Sequence, residues 1–270
     1  MKKLIALLAV SVSALLPIQA YATDSKALVI IDSYFDSRAV NGNVTCISVI
    51  ISNTAPCNND VVKIPASLSD NINHGDAMVE VAKRQSSSLR IIALKATVTG
   101  QGQSSVSDVN PGYFIEALNW VNANSEKVSA VSFSRILGGT NGCTPASTNT
   151  ASYGGITGAD ATIRNLITTL KSKGIKVFAS TGNTKGTTII YPGCILETES
   201  VSSGALNKSG AMVSNFAWDT NTDYFANYSV LNYKSSVLGV IAQTTSSATA
   251  AVAAQYVIGN TLTKVVSVTS

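Results

Sequence analysis

Among its 270 residues the sequence holds a single histidine, His74. Imidazole is the side chain whose ordinary titration range lets it take up and release protons near neutral pH, so chemistry of that kind has one address in this chain. The same count excludes zinc sites built on several imidazoles and His-x-x-x-His metalloprotease helices, which place two on one metal. Two further residues are notable for where they stand. Asp32 ends the apolar run Ala27-Leu28-Val29-Ile30-Ile31, which puts a carboxylate at the carboxyl end of a strand, the edge where open α/β sheets carry their sites. Ser246 opens the helical pattern that continues through Ser247-Ala248-Thr249-Ala250, as His74 opens Gly75-Asp76-Ala77-Met78-Val79. An acid, a base and a hydroxyl are the set from which nucleophilic catalysis is assembled. Each also has a plainer reading: a strand-end cap for Asp32, an N-cap hydroxyl for Ser246, a structural histidine for His74.

The elements that would position these residues follow from hydrophobic patterning. Short, almost continuously apolar runs mark strands over Ala27–Asp32, Val44–Ile50, Arg90–Val98, Val128–Ser134 and Lys176–Thr181. Such runs suit strands covered on both faces, as in a parallel sheet. Between them, helices are expected over Gly75–Arg84, Tyr113–Asn122, Ala159–Lys173 and Ser247–Ile258. In the third, Ile163, Leu166, Ile167 and Leu170 recur at spacings of three and four, and Gly174 supplies the stop. The alternation predicts an α/β fold: three layers, a mainly parallel sheet with helices on both faces. No repeat, low-complexity tract or interdomain linker interrupts it, so one domain is expected.

Four stretches, in this order, resemble the subtilisin-like serine proteases, whose triad runs Asp, His, Ser along the chain. Ala27 to Asp32 followed by Ser33 resembles the family's strand ending in Asp-Thr or Asp-Ser, and Asn73-His74-Gly75 its His-Gly-Thr motif. Ala179-Ser180-Thr181-Gly182-Asn183, with Tyr191-Pro192 after it, is similar to the strand ending in Ala-Gly-Asn. Thr245-Ser246-Ser247-Ala248-Thr249 with Val252-Ala253 resembles Gly-Thr-Ser-Met-Ala-Thr-Pro-His-Val-Ala, and Tyr224 to Ser229 the Phe-Ser-Asn-Tyr-Gly segment. The resemblance implies Ser246 as nucleophile, His74 as its base, Asp32 as the group orienting the ring, and Asn183 as an oxyanion donor beside the backbone N–H of Ser246. It also implies that Ser134, Thr181 and Gly182 line a groove for an extended peptide. The departures are specific. Thr244 stands where the family has glycine, Ala250-Ala251 where it has Pro-His, Asp76-Ala77 where it has Thr-His, and Arg135-Ile136 where it has Leu-Gly. Asp76 would weaken the base if it faced His74, and Ile136 would narrow the first specificity pocket.

Met1 to Ala22 has the three parts of a secretory leader: Lys2 and Lys3, an apolar run, and Ala20-Tyr21-Ala22 as cleavage site. The expected organisation is therefore a leader over 1–22 and a peptidase domain over 23–270, secreted or periplasmic. Only four residues separate the leader from the first strand, so no folding prosegment is expected. Without Lys2 and Lys3 the 17 basic and 15 acidic residues leave a net charge of +2, and no basic cluster points to nucleic acid or, after cleavage, to a membrane. Cys46, Cys57, Cys143 and Cys194 form an even set suited to two disulfides in an exported chain. Three pairings are open, with Cys46 to Cys57 and Cys143 to Cys194 favoured. No cofactor or metal is expected in the chemistry. A structural calcium is implied only by the resemblance, its local hint being Asp219-Thr220-Asn221-Thr222-Asp223, which lacks the glycine and glutamate of an EF-hand loop. No Gly-x-Ser-x-Gly elbow supports an esterase. The expected function is a monomeric serine endopeptidase acting on peptides or proteins through an acyl-enzyme. The alternative is a catalytically weak or inactive domain of the same fold that binds peptides or partner proteins.

Overall fold

A computed structural model describes residues 26–32, 35, 43–50, 53–56, 74–96, 108–109, 111–137, 159–227 and 244–268. The leader, Cys57, Cys143 and most of the polar loops over 100–110 and 138–158 lie outside these residues. Twelve described strands are β1 (Ala27–Asp32), β2 (Val44–Ile50), β3 (Asn53–Pro56), β4 (Ile91–Lys95), β5 (Asp108–Val109), β6 (Val128–Phe133), β7 (Ile136–Leu137), β8 (Lys176–Ser180), β9 (Glu199–Leu206), β10 (Met212–Val213), β11 (Tyr224–Asn227) and β12 (Val265–Val266). Four α-helices accompany them: α1 (His74–Gln85), α2 (Pro111–Ala123), α3 (Asp160–Ser172) and α4 (Thr245–Val257). Nine strands form one sheet in the order β12, β11, β9, β8, β6, β1, β4, β2, β3, with β10 attached to β9. Every pairing along this path is parallel except that of β2 with β3. A separate pair joins β5 to β7.

The sheet divides the core in two. Leu28 and Ile30 of β1 belong to the apolar cluster that includes α1 and α4. Ala27, Val29 and Ile31 belong to the other, with α2 and α3. This is the period of two that strand geometry imposes. All five are at most 1% exposed, and full burial of each larger one contributes roughly 1.5–3 kcal/mol. The same alternation sends Asp32 to the face of Ile30, where α1 and α4 lie. On the opposite face Phe114 of α2 meets Phe133 of β6 with ring centroids 4.3 Å apart.

α4 is buried on nearly every side, from Thr245 to Gln255. Its five alanines from Ala248 to Ala254 let the backbone lie close to the sheet and to α1, and alanine is also the strongest helix former. Near its carboxyl end, Gln255 donates to Gln85 across the two helices at 2.8 Å. α4 begins two residues before the expected Ser247, and the strands expected to reach Val98, Ser134 and Thr181 end within the sheet at Lys95, Phe133 and Ser180. Of the four cysteines Cys46 and Cys194 are described, and the residues with which they are expected to pair, Cys57 and Cys143, lie outside the described residues. No described helix is long and apolar enough to cross a membrane.

Candidate active site

β1 lies between β4 and β6, and the chain builds first to one side of it, through β2, β3 and β4, and then to the other, from β6 onward. At such a switch point the carboxyl edge of a parallel sheet opens into a crevice. Asp32 sits at this edge, fully buried, its carbonyl accepting from the Ala96 N–H at 2.8 Å. α1 begins directly above it with His74, whose side chain is 15% exposed. Nδ1 of His74 and Oδ2 of Asp32 are 2.7 Å apart. A carboxylate held on Nδ1 fixes the tautomer that leaves Nε2 free to accept a proton. Asp76 is buried in the first turn of α1, but among the described residues the ionic partner of His74 is Asp32 and not Asp76.

Ser246 is brought to the same edge by α4. It is not the N-cap, which corrects the plainer reading given above. That position is held by Thr244, in extended conformation with φ −111° and ψ 164°, whose hydroxyl accepts from the Ser247 N–H at 3.2 Å. The negative φ needs no glycine, so threonine replaces the family's glycine here without strain and adds a cap worth about 1 kcal/mol.

A helix leaves its first four N–H groups without intrahelical partners, and here their destinations can be followed. Thr245 N–H donates to Oδ1 of Asn183 at 3.1 Å and Ser247 N–H to the Thr244 hydroxyl, while the first intrahelical bond runs from the Ala248 N–H to the Thr244 carbonyl. Among the described residues the Ser246 N–H is the one of this turn left over, at the position expected of an oxyanion donor. Asn183 is oriented by the same helix. Its Oδ1 also accepts from the Thr245 hydroxyl at 2.9 Å, so its Nδ2 faces away from Thr245.

Gly182, at φ +111°, supplies a backbone conformation that side chains disfavour and so delivers Asn183 from the end of β8. Thr181 and Gly182 are buried. The Thr181 N–H and carbonyl pair with Val201 and Ile190, and the Gly182 carbonyl accepts from Ala217. These groups are occupied within the fold, where the segment positions Asn183.

Ser134 follows β6 and is locked to Ser246 by two reciprocal bonds. Its hydroxyl donates to the Ser246 carbonyl, and the Ser246 hydroxyl donates to the Ser134 carbonyl, both at 3.1 Å. The Ser246 hydroxyl proton thus rests on a backbone carbonyl, and among the described residues no hydrogen bond joins Ser246 to His74.

The residue that sequence reasoning passed over is Arg135. Its Nε donates to Oδ1 of Asp32 at 2.9 Å, and it is 6% exposed. The available signal was a charged residue directly after a buried strand, at the same sheet edge as Asp32, in a chain with only 13% charged residues. In the loop over 219–223 both carboxylates are engaged within the protein. Asp219 accepts from the Asn221 N–H and Asp223 from the N–H and hydroxyl of Ser200, and no cluster of three acidic, His or Cys ligands converges among the described residues.

No family model and no curated protein matches the sequence. Solved structures do match its fold. The PatG macrocyclase in complex with peptide superposes at a TM-score of 0.57 and 11% identity, covering 89% of this chain and 79% of that one. The prenylagaramide maturation protease PagA gives 0.54 at 14% identity, with 88% and 79% covered. Sphericase gives 0.53 at 15% identity, with 86% and 76% covered. The fold is subtilisin-like.

Proposed function

From a subtilisin-like fold with an acid, an imidazole and a hydroxyl at one sheet edge, we propose that this chain is a serine endopeptidase. The observation that carries the reading is the 2.7 Å contact between buried Asp32 and His74 at the edge where the first turn of α4 leaves the Ser246 N–H without a partner among the described residues. Rotation of the Ser246 side chain away from the Ser134 carbonyl turns its hydroxyl toward Nε2 of His74; such hydrogen bonds are often completed only when substrate binds. Ser246 Oγ then attacks the scissile carbonyl carbon as His74 takes its proton. The negative charge formed on the carbonyl oxygen is met by the Ser246 N–H and Asn183 Nδ2. Collapse breaks the C–N bond, His74 returns the proton to the leaving amine, and water repeats the sequence on the acyl-enzyme. These steps draw on side chains and backbone N–H groups alone.

The proposal extends to the setting. The leader over 1–22 is removed, and residues 23–270 act as a monomer in the secreted or periplasmic space, stabilised by Cys46–Cys57 and Cys143–Cys194 bridges. Peptides and proteins are the substrate class. A second reading is favoured by one observation, the Ser246 hydroxyl resting on Ser134 instead of His74: a domain of the same fold that binds peptides with little turnover.

The mature protein and its Ser246→Ala variant, exposed to a fluorophosphonate probe and to casein, distinguish the two. Labelling and cleavage are expected in the first and absent from the second. A well-folded wild type that takes no label overturns the enzyme reading. Asn183→Ala is expected to lower kcat by about 10²–10³ with KM little changed, because its amide acts on charge that exists only in the transition state. Steady-state kinetics on a peptide substrate measure this, and a loss confined to KM would remove Asn183 from the oxyanion site.

A further inference from the structure

Nothing in the triad chemistry requires an arginine, yet one is bound to its carboxylate. β1 and β6 are adjacent and parallel, with Ile31 beside Phe133, so the residues just beyond Phe133 pass the end of β1. Ser134 uses this place to hold Ser246. Arg135 folds its side chain back to Oδ1 of Asp32, leaving Oδ2 on His74. The two carboxylate oxygens are thus shared between a permanent cation and an imidazole, in a site where Asp32 is fully buried and Arg135 nearly so.

We propose that Arg135 is a positioning residue of this constellation: it holds the Asp32 carboxylate in the orientation that meets His74, and its charge opposes the imidazolium that forms there. The proposal rests on the protease reading for its kinetic consequence, though not for its electrostatic one. With one carboxylate oxygen committed to Arg135, the positive charge on His74 gains less from Asp32, and a like charge beyond the carboxylate disfavours it further. The imidazole and the guanidinium thus compete for one carboxylate.

Other charged groups packed near this pair among the described residues are Lys95, the register neighbour of Asp32 on β4, and Asp76 in the first turn of α1; both are buried. β6 and α4 contribute none. These groups are the same in every variant below, so differences report on Arg135.

The chain's single histidine makes the measurement direct, because one imidazole resonance titrates without assignment. Arg135→Gln keeps a polar chain of similar reach but removes the charge. It is expected to raise the His74 titration midpoint by about one pH unit and to move the acid limb of kcat/KM upward by the same amount. That amounts to about a tenfold loss on the acid side relative to the plateau. Arg135→Lys keeps the charge and is expected to hold the midpoint within about 0.3 unit of wild type. A Gln variant that titrates like wild type overturns the proposal. If the Gln variant does not fold, the Lys variant decides: a midpoint held near wild type supports the proposal, and a rise of a full unit overturns it. The titration needs no turnover. A wild type that takes no fluorophosphonate label but whose His74 responds to Arg135 as described would sink the protease reading and leave the positioning role standing.

Discussion

His74→Ala is expected to lower kcat by on the order of 10⁶, the loss typical when the base of such a triad is removed, with little change in KM or in stability. The catalytic loss is large because no second imidazole exists to take over and a serine hydroxyl without a base is a poor nucleophile at neutral pH. The stability cost is small for a structural reason. Removing His74 takes one bond from Asp32, but the carboxylate keeps Arg135 at 2.9 Å, so no buried charge loses its only counter-ion. The Ser246 N–H and Asn183 remain, and their oxyanion stabilisation should leave a residual rate roughly 10³–10⁴ above the uncatalysed reaction. Single-turnover and steady-state kinetics on a peptide ester, with a urea unfolding curve alongside, test both halves. A variant retaining activity within tenfold of wild type would show that His74 is not the base.

The sheet's centre was legible in the sequence because its strands are unusually apolar and bounded. β1 and β2 coincide with the expected Ala27–Asp32 and Val44–Ile50, and β4, β6 and β8 differ only at their ends. β9 escaped. Glu-Ser-Val-Ser-Ser-Gly-Ala-Leu carries no run of large apolar side chains, yet Ser200, Ser202 and Ser203 are buried within it. Tertiary partners make the burial of two of them tolerable: the Ser200 hydroxyl donates to Asp223 and the Ser202 hydroxyl to the Ala217 carbonyl, whereas the Ser203 hydroxyl has no partner among the described residues. Such partners come from chain that is distant in sequence, so no local pattern announces them. Gly204 belongs to the same logic, since a Cβ there would come within 3.0 Å of Phe225 and of the Val213 carbonyl.

The candidate site shows the same division. Asp32, His74, Asn183 and Ser246 are visible in sequence because each stands at an element's end, where the period of the apolar pattern breaks. What joins them is not local. Arg135 reaches Asp32 across 103 positions and Asn183 reaches Thr245 across 62. Thr244 illustrates how a departure can be read wrongly. As a missing glycine it suggests altered backbone approach, while its φ and its hydrogen bond make it an ordinary helix cap. Arg135 is the reverse. It replaces an apolar residue in the family pattern, its neighbour Ile136 draws attention as the bulkier change beside the groove, and only its place beyond β6 makes it the partner of the acid.

Asp32→Asn should therefore do two things at once, and the second is what sets this chain apart from a plain triad. Catalysis is expected to fall by about 10⁴ in kcat. An amide that turns its Nδ2 to His74 selects the tautomer with the proton on Nε2, which can no longer accept one from Ser246. Stability is expected to fall as well, by about 3 kcal/mol, the lower end of the range for removing one partner of a buried ion pair. The lower end applies because the amide oxygen can still accept from Arg135 Nε, although the guanidinium, 6% exposed, loses the charge it was built against. An unfolding curve in urea gives the single-variant loss, and Arg135→Gln with the double variant closes the cycle. Contact at 2.9 Å predicts a coupling of at least about 1 kcal/mol, whereas independent sites add to within about 0.5 kcal/mol. Additive losses would mean that Asp32 serves His74 alone and that the arginine beside it is packing.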